Sequence, residues 1–251
     1  MLKTCGGAGT AGAYKRRRAA RSAAMALLLS LSVLPIATLR AQLIGSEPSS
    51  SPFRDADLSQ RFSLSVGWLN ATRDAARVGP KAGPVFGLRH DIHLGGIAWL
   101  TSRYSLLRSE RNVVDPGSPV SQRDQGVTGV THHYADVGFT LALTGKKTWR
   151  GVLPTLGTNV GVVSDFSDTD IGGYRFGTKF SFGFGPGVLI TLPRGYNLRL
   201  DITNTVHQFQ YPGTYFIAAS DTTSVLTDTE QRAGWRSNWG ITTGLSFPIF
   251  R

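Results

Sequence analysis

The sequence predicts an all-β protein, an eight-stranded antiparallel up-and-down β-barrel that crosses a membrane. Eight segments alternate between bulky apolar residues and small or polar residues, with the period of two that defines a β-strand. The connections between these segments alternate between short and long, as in transmembrane barrels. An apolar segment near the N-terminus has the features of an export signal.

The export signal is predicted to occupy residues 1–41. Basic residues between Lys15 and Arg21 precede an apolar run from Ala23 to Ala37. That run is about 15 residues long, whereas a membrane-spanning helix needs roughly 20. We therefore expect a signal peptide cleaved after Ala41 or Ala37, with an uncleaved membrane anchor as the alternative. Residues 42–60, rich in Ser and Pro, are predicted to be a flexible periplasmic leader, and residues 61–251 the outer-membrane β-barrel.

Charge and cysteine content exclude several functions. The formal net charge of +11 includes seven basic residues and no acidic ones within residues 1–41. The remainder has 20 basic and 16 acidic residues, a net charge of +4, which gives no indication of nucleic-acid binding. Cys5 is the only cysteine and lies in the predicted signal, so a disulfide or a thiolate metal site is not expected. The five histidines are too scattered to predict a metal site, and we expect no cofactor.

The first four predicted strands each have one apolar face. They are Arg61–Leu69, Val85–Leu94, Ile97–Arg108 and Thr131–Leu143. Their apolar faces carry, strand by strand, Phe62, Leu64, Val66 and Trp68; Phe86, Leu88, Ile92 and Leu94; Ala98, Leu100, Tyr104 and Leu106; and Val137, Phe139, Leu141 and Leu143. The alternate positions are small, polar or charged, apart from Leu69, Val85, Ile97, Trp99, Leu107 and Tyr134.

The last four predicted strands repeat the pattern. They are Val152–Val163, Lys179–Leu192, Asn197–Gln210 and Trp235–Arg251. Many glycines lie on the second face of the first two of these strands, and small residues relieve crowding inside a narrow barrel. Pro186 and Pro248 each remove a backbone donor from the sheet, so each predicts a bulge or a strand end nearby.

The connections predict which strand ends lie together. The short connections are Gly95–Gly96, Thr144–Trp149 and Pro193–Tyr196, and the long ones are Asn70–Pro84, Ser109–Val130, Ser164–Thr178 and Tyr211–Gly234. Bacterial transmembrane barrels have short periplasmic turns and longer external loops. Ten strands remain an alternative if the third or fourth long connection forms an extra hairpin.

Side-chain volume predicts which face points outward. An eight-stranded barrel has an interior just wide enough for its own side chains or one small ligand. Packing Phe180, Phe182, Phe184, Trp235 and Trp239 inside would overfill it, so we expect these residues to face lipid. A soluble lipocalin-like barrel, with the apolar face inside, is the alternative.

The C-terminal segment LSFPIFR carries a family resemblance. Together with the export signal and the alternation of loop lengths, it makes residues 61–251 similar to the small bacterial outer-membrane β-barrels of the OmpA, OmpX and OmpW kind. That resemblance implies that Leu245, Phe247, Ile249 and Phe250 form a C-terminal signal read by the barrel assembly machinery. Arg251 departs from the family pattern, in which the last residue is typically Phe.

Two sets of residues are candidate functional features of the barrel. Charged residues of the polar face are predicted to form an ion-pair network that fills the lumen or, alternatively, lines a narrow channel: Arg89, Asp91, Arg103, Asp136, Arg199 and Asp201. Aromatic residues near strand ends are predicted to form girdles at the two membrane interfaces: Trp68, Tyr104, Trp149, Tyr196, Trp235 and Trp239. Outer-membrane lipids and lipopolysaccharide are the expected partners.

The sequence gives little indication of catalysis. A lipid A deacylase would require a His two residues before a nucleophilic Ser, and no such pair occurs in the barrel. A triad of another order could use Ser237 or Ser246, but nothing in the sequence marks either as activated. Asp165, Asp168 and Asp170 precede two glycines but lack the spacing of a calcium loop. We therefore predict a non-enzymatic protein with a structural or surface-interaction role, with a small-solute channel and a lipid A-modifying enzyme as alternatives.

Overall fold

The computed structural model describes residues 51–56 and 60–250, so the predicted signal peptide, most of the predicted leader and Arg251 lie outside the described residues. These residues form ten strands and three short 3-10 turns, the turns being Val120–Gln122, Pro193–Gly195 and Gly213–Phe216. The strands are β1 (Phe53–Asp55), β2 (Gln60–Asn70), β3 (Gly83–Gly95), β4 (Ala98–Val114), β5 (Asp124–Ala142), β6 (Lys147–Trp149), β7 (Val152–Ser164), β8 (Thr178–Thr191), β9 (Asn197–Gln210) and β10 (Ala233–Phe250). No helix in the described part of the chain is long and apolar enough to cross a membrane.

The eight long strands close into a barrel. Each pairs antiparallel with the next along the chain, β7 pairs with β8, and β10 pairs back with β2. The pairing of β2 with β10, which closes the barrel, extends from Trp239 opposite Asn70 to Phe250 opposite Gln60. The predicted eight-stranded up-and-down barrel is therefore confirmed, and neither 165–177 nor 211–232 contributes a further strand.

The bulky apolar face points outward, as predicted from volume. Phe180 and Phe184 are 55% and 49% exposed, whereas Arg89 and Arg199 are only 7% and 4% exposed inside the barrel. This is the reverse of a soluble barrel, which buries its apolar face. The soluble alternative is wrong for this chain, because its exterior is a continuous surface of Phe, Leu, Ile, Val and Trp side chains.

The hairpin of β4 and β5 extends well beyond the barrel wall. Pairing between the two strands continues to Val114 opposite Asp124, whereas β7 follows β5 only as far as His133 opposite Ser164. The second long connection therefore shrinks to residues 115–123. The sequence missed this extension because its two segments, 109–114 and 124–130, have no alternation of apolar and polar residues with a period of two.

The short-turn end carries a small sheet that the sequence did not predict. Strand β1 lies within the segment expected to be flexible and pairs with β6, with Phe53 opposite Trp149. The Ala56 amide donates to the Lys146 carbonyl, and the Arg150 amide donates to the Pro52 carbonyl. These contacts are made by the backbone, so three residues of no particular pattern can form them.

Both prolines disturb the sheet where they stand. The β10–β2 register shifts between Pro248 and Phe250, as a bulge requires. The β8–β9 pairing is interrupted between Phe184 and Gly187, on either side of Pro186.

Candidate functional site

Four charged side chains cross the barrel lumen in the half nearer the short turns. Arg89 Nε lies 2.9 Å from both carboxylate oxygens of Asp91. Arg199, three strands away around the barrel, donates to Asp91 at 3.3 Å and to Asp201 at 2.6 Å. Asp91 thus lies between two guanidinium groups. Each of these groups lies within 4.0 Å of both carboxylates, with Arg89 3.9 Å from Asp201 as the longest of the four distances. Charges buried this deeply are tolerated only when paired in this way.

Two threonines complete this layer. Arg89 donates to the hydroxyls of Thr140 at 2.6 Å and Thr101 at 3.1 Å, and Thr101 donates to Asp91 at 2.6 Å. The layer therefore links β3, β4, β5 and β9 across the lumen.

Arg103 and Asp136 form a separate pair on neighbouring strands. Arg103 Nε lies 2.9 Å from one Asp136 carboxylate oxygen, and its terminal nitrogen lies 3.3 Å from the other, so the contact is bidentate. The six charges predicted for the lumen thus form one group of four and one group of two. A cavity of about 70 Å³ adjoins both groups on the side of the long loops, with Ser105 and Thr205 in its wall.

The long-loop end of the lumen is filled by an aromatic cluster, which we call the loop plug. Its members come from the upper strands and from the third and fourth long connections: Tyr134, Tyr174, Phe176, Phe209, Tyr211 and Tyr215. Tyr174 stacks on Phe209 at 5.8 Å, Phe209 contacts Tyr211 at 4.6 Å, and Tyr211 stacks on Tyr215 at 6.2 Å between ring centroids. Phe176 inserts deeper, with its ring edge against His132 and His207.

Hydrogen bonds and ion pairs fix the long loops onto the plug. Arg111 at the top of β4 pairs with Asp170 at 2.7 Å and lies over the Tyr174 ring at 5.1 Å. Asp74 in the first long connection accepts hydrogen bonds from the amides of Val78 and Gly79 and from the Tyr211 hydroxyl. Burial and the nearby Asp74 carboxylate raise the pKa of Tyr211 to about 12.

The second and fourth long connections are joined to each other above the plug. Arg123 donates to the carbonyls of Thr223 and Ser224, and Asp221 accepts the Val120 amide at 2.8 Å. Hydrogen bonds from Thr223 and from the Val120 amide lower the pKa of Asp221 to about 2. The long loops are thus connected to one another by hydrogen bonds and form one continuous surface.

The short-turn end is closed by a smaller apolar cluster of Trp99, Ala142, Leu153 and Leu189. Ala56, which follows β1, packs against it. Side chains therefore pack across the lumen at three levels: this floor, the charged layer and the loop plug.

The six aromatic residues predicted to form girdles are all exposed. Trp68, Tyr104, Trp235 and Trp239 lie in the half of the barrel nearer the long loops, and Trp149 and Tyr196 lie at the short-turn end. The Tyr104 hydroxyl lies 2.7 Å from the His133 ring nitrogen. Of the C-terminal residues, Leu245 and Ile249 are exposed on the outer face, and Phe247 packs against Phe62 at 5.6 Å.

The remaining sequence candidates have local roles in the structure. Ser237 accepts a hydrogen bond from the Asn204 amide nitrogen, and Ser246 is fully buried in the lumen. Asp165 bonds the neighbouring Ser167, while Asp170 pairs with Arg111 and accepts the amides of Gly172 and Tyr174. Within residues 51–56 and 60–250, no three His, Cys, Asp or Glu side chains group as metal ligands.

Sequence reasoning missed the loop plug altogether. Tyr134 and Phe209 lie in predicted strands, but Tyr174, Phe176, Tyr211 and Tyr215 lie in segments without periodicity, which were interpreted only as long external loops. The signal was nevertheless present, because three aromatic residues, Tyr211, Tyr215 and Phe216, fall within six residues of one long connection.

A closed antiparallel barrel with apolar residues outside and polar residues inside is a transmembrane β-barrel of the bacterial outer-membrane type.

No known protein-family model matches the sequence, and no curated protein matches it. Solved structures of similar architecture include three bacterial proteins. Neisserial surface protein A has a TM-score of 0.47 at 12% identity, covering 76% of this chain and 97% of that one. The outer membrane protein OprG from Pseudomonas aeruginosa has a TM-score of 0.47 at 10% identity, covering 78% and 98%. The Yersinia pestis protein Ail has a TM-score of 0.36 at 13% identity, covering 74% and 99%.

Proposed function

We propose that this chain is a non-enzymatic outer-membrane barrel that keeps its lumen closed and acts at the cell surface through its long loops. The observation that carries the proposal is the filling of the lumen at three successive levels. A channel needs a continuous polar path, whereas Tyr211 and Tyr215 in the plug and Trp99 at the floor are almost completely buried.

The loops have the properties of an interaction surface. Their inner side chains are packed in the plug, so the outer surface is held in one arrangement without a ligand. Apolar side chains nevertheless stay exposed at the loop tips, namely Val120, Ile171 and Ile217. Exposed apolar residues on an ordered surface are typical of sites that bind another protein.

The remaining features fit the membrane location and the assembly of such a barrel. The exposed aromatic residues at the two ends suit the two membrane interfaces, with the short-turn end toward the periplasm. The alternating apolar residues of β10 suit recognition by the assembly machinery during insertion.

The narrow channel is the main competitor, and conductance distinguishes the two. Folded protein, verified by its heat-modifiable mobility in gels, is reconstituted into planar bilayers. We expect no steady conductance at any applied voltage. A sustained ionic current from the wild-type protein would overturn the closed-lumen proposal.

The lipid A-modifying enzyme is tested separately. Overproduction in an outer membrane should leave the mass spectrum of lipid A unchanged, because among the described residues neither the Ser237 nor the Ser246 hydroxyl forms a hydrogen bond with a histidine. A new lipid A species that disappears in Ser237→Ala would instead establish the enzyme.

A further inference from the structure

The first long connection, residues 71–82, forms an open pocket on the outside of the barrel rim. The pocket has a volume of about 430 Å³, and its wall includes Asn70, Arg73, Arg77, Lys81 and Asn112. Asn70 continues the outward-facing positions of β2, two residues beyond the exposed Trp68. Asn112 likewise continues the outward face of β4, so the pocket lies directly above the apolar surface of the barrel.

Three cations lie in the wall of this pocket, and none of them forms an ion pair with another described residue. Arg73, Arg77 and Lys81 are all exposed. Among the described residues, no carboxylate oxygen lies within 4.0 Å of any of them. Elsewhere at the same end of the barrel, Arg111 pairs with Asp170 and Arg123 approaches Asp221. The positive charge of the pocket is thus left available.

The one acidic residue in the wall is already satisfied. Both carboxylate oxygens of Asp74 accept hydrogen bonds, from the Val78 and Gly79 amides and from the Tyr211 hydroxyl. The Arg77 amide donates to the Asp74 carbonyl, and Arg77 has a φ of +57°, a conformation that costs energy in a residue with a side chain. Asp74 therefore holds the turn that presents Arg77 at the pocket.

We propose that this pocket binds a phosphate group of a phosphorylated glycolipid in the outer leaflet, the lipid A moiety of lipopolysaccharide. Guanidinium and ammonium groups are the side chains that bind phosphate oxygens, and basic pockets at membrane rims bind lipid head groups. Trp68 immediately below marks the membrane interface, where lipid phosphates lie. Arg108, which lies over Phe86 at 6.0 Å, adds a further cation at that height.

This inference rests on the proposed orientation, with the long loops at the cell surface. It does not depend on whether the lumen conducts. A conducting protein that still binds phosphorylated lipid would remove only the closed-lumen proposal, and a non-conducting protein that does not bind it would remove only this inference.

The test compares lipids that differ only in phosphate. Full-length protein in zwitterionic detergent is titrated with bisphosphorylated lipid A, with dephosphorylated lipid A and with soluble glucosamine 1-phosphate, and binding is followed by native mass spectrometry. We expect the bisphosphorylated lipid to bind at least about tenfold more tightly than the dephosphorylated lipid. The soluble sugar phosphate should bind far more weakly than the phosphorylated lipid.

The triple variant Arg73→Gln/Arg77→Gln/Lys81→Gln should lose this discrimination. The matched control Arg175→Gln/Lys179→Gln/Arg232→Gln removes three positive charges at the same end of the barrel but outside the pocket. This control should still bind the bisphosphorylated lipid more tightly than the dephosphorylated lipid. Heat-modifiable gel mobility shows that each variant is folded. Equal loss in both triple variants would mean that net charge alone attracts the lipid, and equal binding of the two lipids by the wild type would overturn the proposal. Tight binding of the soluble phosphate would overturn the assignment to a lipid.

Discussion

The Tyr211 hydroxyl donates a hydrogen bond of 3.0 Å to the Asp74 carboxylate, which ties the fourth long loop to the first across the mouth of the barrel. Both residues are buried. The contact joins the loop plug to the turn that presents Arg77, so the plug and the pocket formed by residues 71–82 share one structural support.

The long-loop end should loosen at alkaline pH. Burial, reinforced by Asp74, raises the pKa of Tyr211 to about 12, above the value near 10 of a free tyrosine. A raised pKa favours the neutral phenol in the folded state, so its stabilisation is complete below pH 10 and is lost as the pH rises toward 12. Near-ultraviolet circular dichroism should therefore change between pH 10 and pH 12.

Tyr211→Phe is the control for this titration. It lacks the ionisable group, so the part of the transition that belongs to residue 211 should disappear, leaving any contribution from Tyr174 and Tyr215, whose pKa values burial also raises. A titration curve identical to that of the wild type would show that Tyr211 does not hold the mouth closed.

Asp91→Ala should destabilise the barrel strongly. The change leaves Arg89 and Arg199 close together in the lumen without the carboxylate between them. Removing one partner of a buried ion pair costs about 3–5 kcal/mol. The measurement is urea unfolding in detergent micelles, followed by tryptophan fluorescence.

Asp228→Ala is the matched control, because Asp228 is an exposed aspartate of the fourth long loop. Its effect should stay within about 0.5 kcal/mol. If Asp91→Ala were as mild as this control, the charged layer would contribute nothing to holding the strands together.

The orientation of the strands gives a prediction based on two similar valines. Val160 on β7 and Val127 on β5 are 49% and 56% exposed. Val160 lies in the apolar outer surface of the barrel, while Val127 lies in the part of the β4–β5 hairpin beyond the barrel wall. Arginine facing the bilayer midplane costs about 2–4 kcal/mol, but arginine in water costs almost nothing.

Val160→Arg should therefore lower the free energy of unfolding in lipid vesicles by about 2–4 kcal/mol. Val127→Arg should leave it almost unchanged. Equal effects at the two positions would contradict the placement of the β7 outer face in hydrocarbon.

Much of the barrel could be predicted because lipid and lumen impose opposite demands on alternate residues. Phe180, Phe182 and Phe184 alternate with Ser181 and Gly183, and a one-residue shift would exchange the two faces. The same parity placed Arg89 and Arg199 on one side of the wall. It could not show that they share Asp91, because that contact depends on the position of β9 relative to β3 around the barrel.

The plug and the rim pocket were beyond such a pattern. Tyr174, Tyr215 and Arg77 lie in connections whose conformation is fixed by tertiary contacts rather than by periodicity. Arg77, for example, adopts its positive φ because Asp74 binds the two amides that follow it. A sequence shows the residue types in such a loop but not which of them turn inward.

Gly138 on β5 should be sensitive to the addition of a single methyl group. A Cβ atom there would lie 1.9 Å from the Thr158 carbonyl oxygen and 2.5 Å from the Asn159 Cα, both in the backbone of β7. Because these atoms cannot rotate away, Gly138→Ala must push β5 from β7, and overpacking of this kind costs about 1–3 kcal/mol. Gly129→Ala on the same strand is the matched control, since nothing lies within 4 Å of its Cβ position. There the change should be neutral or slightly stabilising, because alanine restricts the unfolded chain more than glycine does. Urea unfolding of both variants measures the two changes in stability. Equal stability of the two variants would mean that the backbones of β5 and β7 do not lie as close together at Gly138 as in this structure.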